Sequence, residues 1–344
     1  MINIKAFTLE ELTRLAEEMG WEGYRPQQIF QWLWQKDAES FDQMTNLSKQ
    51  FRSQLAERFY ISRLQSVRTI SSPDQTTKCT FRLEDGNLIE SVLLFDQNRR
   101  TVCVSTQAGC SLGCRFCATA RSGFKRNLKW FEIVNQIQVL ARLTGVQPTN
   151  IVFMGMGEPL LNLDEVLRAV QVINSDYGLR IGARRITIST AGIPEGILRL
   201  AGFPRQVRLA VSLNATSDST RSQLMPINRR YPLKTLLAAV REYIKKTGRR
   251  VTFEYVLING VNNLTEDIDR LARLVKNIPC KVNLIPFNPF PGSDFQPPSA
   301  ENLRQFARTL YPLLPAVTIR KSKGSSILAG CGQLATRLDM NDRY

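Results

Sequence analysis

Strand and helix patterns alternate along the chain after residue 100, and this alternation constrains the fold more than any other feature. Six apolar runs predict strands, at Thr101–Gln107, Asn150–Met154, Arg185–Thr190, Val207–Leu213, Val251–Ile258 and Val282–Phe287. Amphipathic helices are predicted between them, for example at Leu128–Leu143, Leu233–Lys246 and Glu266–Lys276. Such alternation is typical of a parallel sheet with helical crossovers. We expect an α/β fold, a partial (β/α)6 TIM-like barrel, with a doubly wound open sheet as the alternative.

The first 65 residues have a different pattern and predict helices only. Thr8 and Glu11 have the spacing of a capping box, Pro26 begins a second apolar-periodic segment, and a third lies near Phe51. We therefore expect residues 1–65 to form a small N-terminal helical domain.

The rest of the chain is predicted to divide into a linker, the barrel and a C-terminal tail. Residues 66–100 are predicted to form a β-hairpin linker, because a turn signal at Asp85-Gly86-Asn87 separates two strand-like runs. The barrel is expected over residues 101–324, and its end is marked by a helix at Ala300–Leu310 and a strand at Val317–Arg320. Residues 325–344 are then a C-terminal tail.

The charge of the chain points to a polyanionic partner. Lys and Arg number 46 against 30 Asp and Glu, a net charge of +16, and the cations are spread in short clusters. Such a surface is typical of a protein that binds nucleic acid, either RNA or DNA. The chain has no histidine, which excludes Ser-His-Asp triads and Cys-His dyads. No membrane span or secretory leader is predicted, so we expect a cytoplasmic protein without a disulfide framework.

Three cysteines, Cys110, Cys114 and Cys117, lie within eight residues directly after the first predicted barrel strand. Gly109 and Gly113 let this segment fold tightly around a bulky group. Plain core packing and a zinc site are alternatives, but zinc requires a fourth ligand that the segment does not supply. Three thiolates suit a [4Fe–4S] cluster that leaves one iron open to a small molecule.

The cysteine spacing, together with Gly155-Met156-Gly157-Glu158-Pro159 after the second strand, resembles the radical SAM superfamily. In that superfamily S-adenosylmethionine (SAM) binds the open iron of the cluster. Further runs resemble the RlmN family, dual-specificity rRNA and tRNA adenine-C2 methyltransferases, over about residues 80–335. These runs lie at 103–110, 123–128, 225–231, 281–289 and 329–334.

The resemblance implies methylation of C2 of adenine-2503 in 23S rRNA and of adenine-37 in tRNAs, with two SAM molecules per turnover. The first SAM methylates Cys331. The second is split to a 5′-deoxyadenosyl radical, which activates the methyl group on Cys331 so that it adds to C2. By the resemblance Glu90 then removes the C2 proton, and Cys103 attacks Cys331 to release the RNA with a transient disulfide. Residue patterns alone would predict packing for Cys103 and a solvated strand carboxylate for Glu90.

The SAM contacts implied by the resemblance all follow the ends of predicted strands, where the chemistry of a barrel is expected. They are Gly157, Glu158, Ser189, Ser212, Leu213, Asn214 and Asn288. Asn214 departs from the family, which usually has histidine at this position. Asparagine donates and accepts hydrogen bonds but carries no charge.

The expected partners are 23S rRNA, tRNA and an electron donor such as flavodoxin or ferredoxin, and we expect a monomer that does not bind membranes. Three alternatives remain at this stage. One is a Cfr-like adenine-C8 methyltransferase, and another is a non-catalytic basic RNA-binding metal protein. The third is a glycyl-radical activating enzyme, whose protein substrate leaves the charge of +16 unexplained.

Overall fold

A computed structural model of the protein describes residues 1–335. Ten strands form one mixed sheet, in which they lie side by side in the same order as in the chain. The strands are β1 Gln65–Ser71, β2 Thr77–Arg82, β3 Leu88–Asp96, β4 Arg99–Cys103, β5 Asn150–Phe153, β6 Ile186–Thr190, β7 Arg208–Ser212, β8 Val251–Leu257, β9 Cys280–Pro286 and β10 Val317–Ile319. The chain therefore crosses the sheet once, from one edge to the other.

The sheet is antiparallel from β1 to β4 and parallel from β4 to β10. A doubly wound sheet reverses its strand order at a switch point, and this sheet has no reversal. Its edge strands β1 and β10 are not paired with each other. The predicted partial barrel is confirmed, with β10 as a seventh parallel strand beyond the six predicted units.

Eleven helices are found in the described residues. They are α1 Leu9–Glu18, α2 Arg25–Trp34, α3 Lys49–Arg58, α4 Ala118–Arg121, α5 Trp130–Thr144, α6 Leu163–Asn174, α7 Pro194–Ala201, α8 Asp218–Leu224, α9 Leu233–Thr247, α10 Thr265–Val275 and α11 Ala300–Leu310. Helices α5 to α11 lie in the crossovers between parallel strands. The predicted capping box begins α1, because Glu11 N–H donates to Thr8 Oγ1 at 3.2 Å and Thr8 N–H donates to the Glu11 carboxylate at 2.7 Å. Between residues 1 and 335, no helix has both the length and the apolar content to cross a membrane.

The first barrel strand is shorter than predicted. Strand β4 ends at Cys103, and Gln107–Gly109 instead pairs antiparallel with Phe124–Asn127. The Gln136 side chain from α5 causes this early end, because its amide bonds both main-chain groups of Ser105. Ser105 N–H donates to Gln136 Oε1 at 2.8 Å, and Gln136 Nε2 donates to the Ser105 carbonyl at 2.9 Å. The main chain at Ser105 is thus held by a side chain and not by a neighbouring strand.

The N-terminal helices pack directly on α5. Lys5 is buried, and its Nζ donates to Asn135 Oδ1 at 2.8 Å and to Gln138 Oε1 at 3.2 Å. Burial lowers the pKa of Lys5 to about 8. The rings of Trp34 and Trp130 lie 5.3 Å apart, so the helices and the barrel share one apolar core.

We predict that Trp34→Ala lowers the free energy of unfolding by about 3–5 kcal/mol, because it leaves a cavity between α2 and α5. Trp34 is only 1% exposed. Denaturant unfolding followed by circular dichroism measures the change. The matched control is Trp32→Ala on the same helix, where the ring is half-buried and contacts Lys36, and a loss of about 1 kcal/mol is expected. Equal losses in the two variants would contradict the packing role of Trp34.

Candidate active site

The carboxyl ends of the parallel strands open into one cavity, and most of the predicted site residues meet there. Ten of the thirteen predicted residues line it, namely Cys110, Cys114, Cys117, Gly157, Glu158, Ser189, Ser212, Asn214, Asn288 and Cys331. Cys103, Glu90 and Leu213 are not on its wall. The cavity lies where the chemistry of a parallel α/β barrel is expected.

The cysteine loop is shaped by two residues with left-handed backbone. Gly109 has φ +79°, and a Cβ on it would lie 1.7 Å from the Gly123 carbonyl oxygen, so no larger residue fits. Gly113 has φ +68°. The Cys110 N–H donates to the Gly123 carbonyl at 3.1 Å, and Arg115 N–H donates to the Leu224 carbonyl at 2.9 Å. The loop is therefore fixed at both of its ends.

The three thiols of this loop are close enough to affect each other. Burial raises the pKa of Cys110 to about 12 and that of Cys114 well above its usual range, and the neighbouring Cys117 raises both further. Iron ligands must be thiolates, so a strongly positive group is required to ionise them in this place. A metal cluster has that charge.

The surroundings of the loop also suit an iron–sulfur cluster. Leu112, Met225 and Phe287 are buried against Cys110 and Cys114, and such an apolar shell excludes solvent from a cluster. No group of three or more His, Cys, Asp or Glu side chains within residues 1–335 is poised around a single metal ion. A [4Fe–4S] cluster does not require such convergence, because each thiolate binds a different iron. The three cysteines and their apolar surroundings therefore fit a [4Fe–4S] cluster.

Glu158 lies on the wall of the cavity and is held by main-chain donors. Its Oε2 accepts from Ala191 N–H at 2.7 Å, and its Oε1 accepts from Leu160 N–H at 3.0 Å. Burial raises its pKa to about 7, against the lowering effect of these hydrogen bonds. Gly157 before it has φ +99°, and a Cβ there would lie 2.5 Å from the Gln107 side chain. The Gly-Glu pair therefore packs against the strand that begins the cysteine loop.

The side chains near the end of β7 alternate between the cavity and the core. Ser212 lines the cavity, whereas Leu213 is fully buried behind it. Asn214 lines the cavity again with φ +56°, a left-handed backbone that asparagine tolerates better than most residues. Its Oδ1 accepts from Val256 N–H at 2.9 Å. Asn214 thus joins the ends of β7 and β8.

Arg221 is a site residue that the sequence analysis missed. It is fully buried, and it donates to the carbonyls of Leu213 at 3.0 Å and Ala191 at 2.6 Å. It also bonds Asn228 Oδ1 at 2.9 Å, and its positive charge lowers the pKa of Cys114. The guanidinium therefore joins the loops after β6 and β7 beside the cysteine loop. A single arginine among many gives no sequence signal of such burial.

Cys331 and Cys103 lie beside a second missed residue, Arg320. Burial raises the pKa of Cys103 to about 12, the neighbouring Cys331 raises it further, and Arg320 lowers it. The same Cys331 raises the pKa of Arg320. Asn288 Nδ2 donates to the Cys331 carbonyl at 3.0 Å and positions its loop. All seven cysteines of the chain are free thiols in the structure.

Glu90 is buried and not solvated, which is the reverse of the interpretation that residue patterns alone favour. It is 3% exposed on β3. Its Oε1 lies 3.3 Å from Lys78 Nζ and 3.3 Å from Thr80 Oγ1, and its Oε2 accepts from Ala335 N–H at 3.0 Å. Burial raises its pKa, and Lys78 lowers it. Glu90 therefore contacts the segment that carries Cys331 without lining the cavity.

Comparison with known proteins agrees with this geometry. The model of the radical SAM superfamily matches residues 104–275, and that of the ribosomal RNA large subunit methyltransferase N-terminal domain matches residues 2–61. The dual-specificity RNA methyltransferase RlmN of Geotalea uraniireducens is 48% identical over 338 residues, which are 98% of each chain. The protein of the same name from Geobacter sulfurreducens is 48% identical over 98% of this chain and 93% of its own length.

A solved structure has the same fold over the whole length. The radical SAM methyltransferase from Sphaerobacter thermophilus matches 98% of this chain and 100% of its own, with a TM-score of 0.93 and 45% sequence identity. The family of the chain follows from the full-length identity together with the cysteine loop at the end of β4. The chain belongs to the RlmN family of the radical SAM superfamily.

Proposed function

We propose that the protein methylates C2 of an adenine in 23S rRNA and in tRNA, at adenine-2503 and adenine-37 respectively. The observation that carries the proposal is the position of Cys331. It lies on the wall of the cavity that also holds the three cysteines of the candidate cluster loop, and it neighbours Cys103. A cysteine that carries a methyl group and becomes bonded to its product needs a second thiol beside it. The second thiol attacks the sulfur of the carrier and so releases the product.

The residues that would hold the cofactors are those of the cavity wall. Cys110, Cys114 and Cys117 would bind a [4Fe–4S] cluster. The candidate SAM contacts are Gly157, Glu158, Ser189, Ser212, Asn214 and Asn288, with Leu213 behind them. When bound, the cluster and two SAM molecules per turnover supply the methyl group and a carbon-centred radical.

In this proposal the thiols of Cys331 and Cys103 transfer the methyl group to the RNA and release the product. Cys331 Sγ accepts the methyl group, and the Arg320 guanidinium lies beside it. After the methyl carbon has bonded to adenine C2, the RNA is attached to Cys331. Cys103 Sγ then attacks Cys331 Sγ, and a disulfide forms between the two cysteines as the sulfur–carbon bond breaks. The electron pair of that bond stays with the carbon on the RNA, which takes up a proton to become the methyl group.

Glu90 is the proposed acceptor of the C2 proton. Its raised pKa suits a base that works near neutral pH. Lys78 and the Ala335 N–H now occupy its oxygens, so the segment at Ala335 has to shift before the adenine can reach the carboxylate. The charge of +16 supports an RNA substrate, with residues 1–65 as an RNA-binding accessory.

The remaining partners follow from the chemistry. A one-electron donor such as flavodoxin or ferredoxin would reduce the cluster, and RNA substrates would place the reaction in the cytoplasm. The proposed site uses one chain only, which is consistent with a monomer. Adenine labelled with deuterium at C2 distinguishes this reaction from methylation at C8. Mass spectrometry of the product shows loss of the deuterium only if the methyl group replaces it at C2.

We predict that Cys331→Ala abolishes RNA methylation and that Cys103→Ala accumulates a covalent protein–RNA adduct, because the thiol that releases the product is missing. Denaturing gels with labelled RNA detect the adduct, and mass spectrometry measures the methyl group. The matched control is Cys280→Ala, a buried cysteine on β9 without a proposed role. Only free RNA with the Cys103 variant would refute the releasing role of Cys103.

We predict that Glu90→Gln slows release of the adduct about 100-fold or more, because a positioned base contributes this much. A base must be ionised, so in the wild-type protein release slows as the pH falls through the raised pKa of Glu90. The variant lacks this pH dependence. Single-turnover measurements between pH 5 and 9 test both points, and an unchanged pH profile in the variant excludes Glu90 as the base.

A further inference from the structure

A second cavity of about 710 Å³ occupies the inside of the barrel. Barrel interiors are usually filled by layers of branched apolar side chains. Here alternating positions on the strands present polar side chains to the interior, including Thr101, Thr187, Thr252, Asn283 and Thr318. We call this cavity the lumen.

The lumen reaches solvent at the amino ends of the strands, and basic residues surround that opening. Arg99 and Arg208 begin β4 and β7, Arg185 directly precedes β6, and all three are exposed. Lys281 lies at the start of β9. We call these four residues the rear mouth.

The charges of the rear mouth are incompletely balanced. Burial lowers the pKa of Lys281, and the positive charges of Arg250, Arg99 and Arg208 lower it further, whereas Glu254 opposes them. Asp96 is the other carboxylate on the wall of the lumen. Concave surfaces with an excess of one charge concentrate ions of the opposite charge. The rear mouth therefore favours anions.

The lumen leads to the two cysteines of the proposed reaction. The two cavities share part of their walls, formed by Met154, Glu254, Ile285, Asn288, Arg320 and Cys331. Cys103 lines the lumen but not the cavity of the cluster loop. A molecule on the cluster side can meet Cys331 alone, whereas a molecule in the lumen meets both cysteines.

We propose that the rear mouth admits a small anionic thiol, a low-molecular-mass thiol that carries carboxylate or sulfonate groups, and that this thiol reduces the Cys103–Cys331 disulfide from the lumen. The inference rests on the proposed function, because that function forms the disulfide. In this proposal the lumen serves only for reduction of the disulfide, because the cofactors and the RNA occupy the other side of Cys331 during the methylation reaction.

The electrons and atoms balance in two exchange steps. The thiolate of the reductant attacks Cys103 Sγ, and Cys331 leaves as a thiolate beside the Arg320 guanidinium. A second thiolate attacks the reductant sulfur of the mixed disulfide, which forms the oxidised reductant and leaves Cys103 as a thiolate that takes up a proton. Two thiols are oxidised to one disulfide, and Cys331 is ready for the next methyl group.

The test uses two thiols of similar size that differ in charge, 2-mercaptoethanesulfonate and neutral 2-mercaptoethanol. Cluster-loaded protein is oxidised anaerobically with diamide, and peptide mapping verifies the Cys103–Cys331 disulfide. The rate of reduction by each thiol is then measured by trapping the freed cysteines. After normalisation to the rate with a model disulfide, we expect the anionic thiol to be about tenfold faster than the neutral one, with an advantage that falls as salt is added.

The variant Arg185→Glu/Arg208→Glu reverses two exposed charges of the rear mouth. We expect it to lower the rate with the anionic thiol about tenfold and to leave the rate with the neutral thiol within twofold. The matched control, Lys234→Glu/Arg241→Glu, makes the same change of net charge on exposed residues of α9. It should leave both rates within twofold of the wild-type values.

The outcomes separate this inference from the function on which it rests. If the disulfide forms but its reduction shows no dependence on thiol charge or on the rear-mouth variant, the inference is wrong and the proposed function stands. If the variant weakens RNA binding instead and leaves thiol rates unchanged, the rear mouth is an RNA surface. If turnover with RNA never yields the disulfide, both are overturned.

Discussion

Parallel pairing of the strands in chain order is the constraint on which the rest of the structure depends. Because β4 to β10 all run parallel, their carboxyl ends meet at the same edge, and the loops that follow them face one cavity. Residues separated by more than two hundred positions, such as Cys110 and Cys331, are brought to one wall in this way. The cavity is therefore a consequence of the sheet topology and is not formed by any single loop.

The features that could be predicted from the sequence are those encoded by patterns of neighbouring residues. The strand–helix alternation gave the partial barrel, and the cysteine spacing identified a loop that the structure places at the carboxyl end of β4. Long-range contacts decided the rest. Strand β4 ends early because Gln136, thirty-one residues beyond Ser105, takes over the main-chain bonds. Arg221 and Arg320 have no local signature among 46 cationic residues, and only tertiary contacts bury the one and place the other beside two cysteines.

Because the lumen is polar, the barrel cannot obtain its stability from an apolar interior as barrels usually do. Its interior side chains satisfy each other, as where Asn283 Nδ2 donates to the Glu254 carboxylate at 3.2 Å. Such pairs avoid the cost of unpaired polar groups but contribute little net stability. Apolar burial therefore has to come from the outer layer between sheet and helices, where Ile188, Val211 and Val282 have no exposed surface. The N-terminal helices extend this layer through Trp34, so these helices are also part of the core.

Glu90 links the proposed proton transfer to the loop that carries Cys331. Lys78 Nζ donates to the Leu328 carbonyl at 3.3 Å and pairs with Glu90, while Glu90 accepts from Ala335 N–H. These two side chains on neighbouring strands therefore hold the segment on both sides of Cys331. A protonated carboxyl group accepts hydrogen bonds less strongly than a carboxylate and no longer attracts an ammonium group. In the proposed reaction, the proton taken from C2 would thus end the ion pair between Glu90 and Lys78, the side chain that also bonds the Leu328 carbonyl, at the stage when Cys103 attacks Cys331.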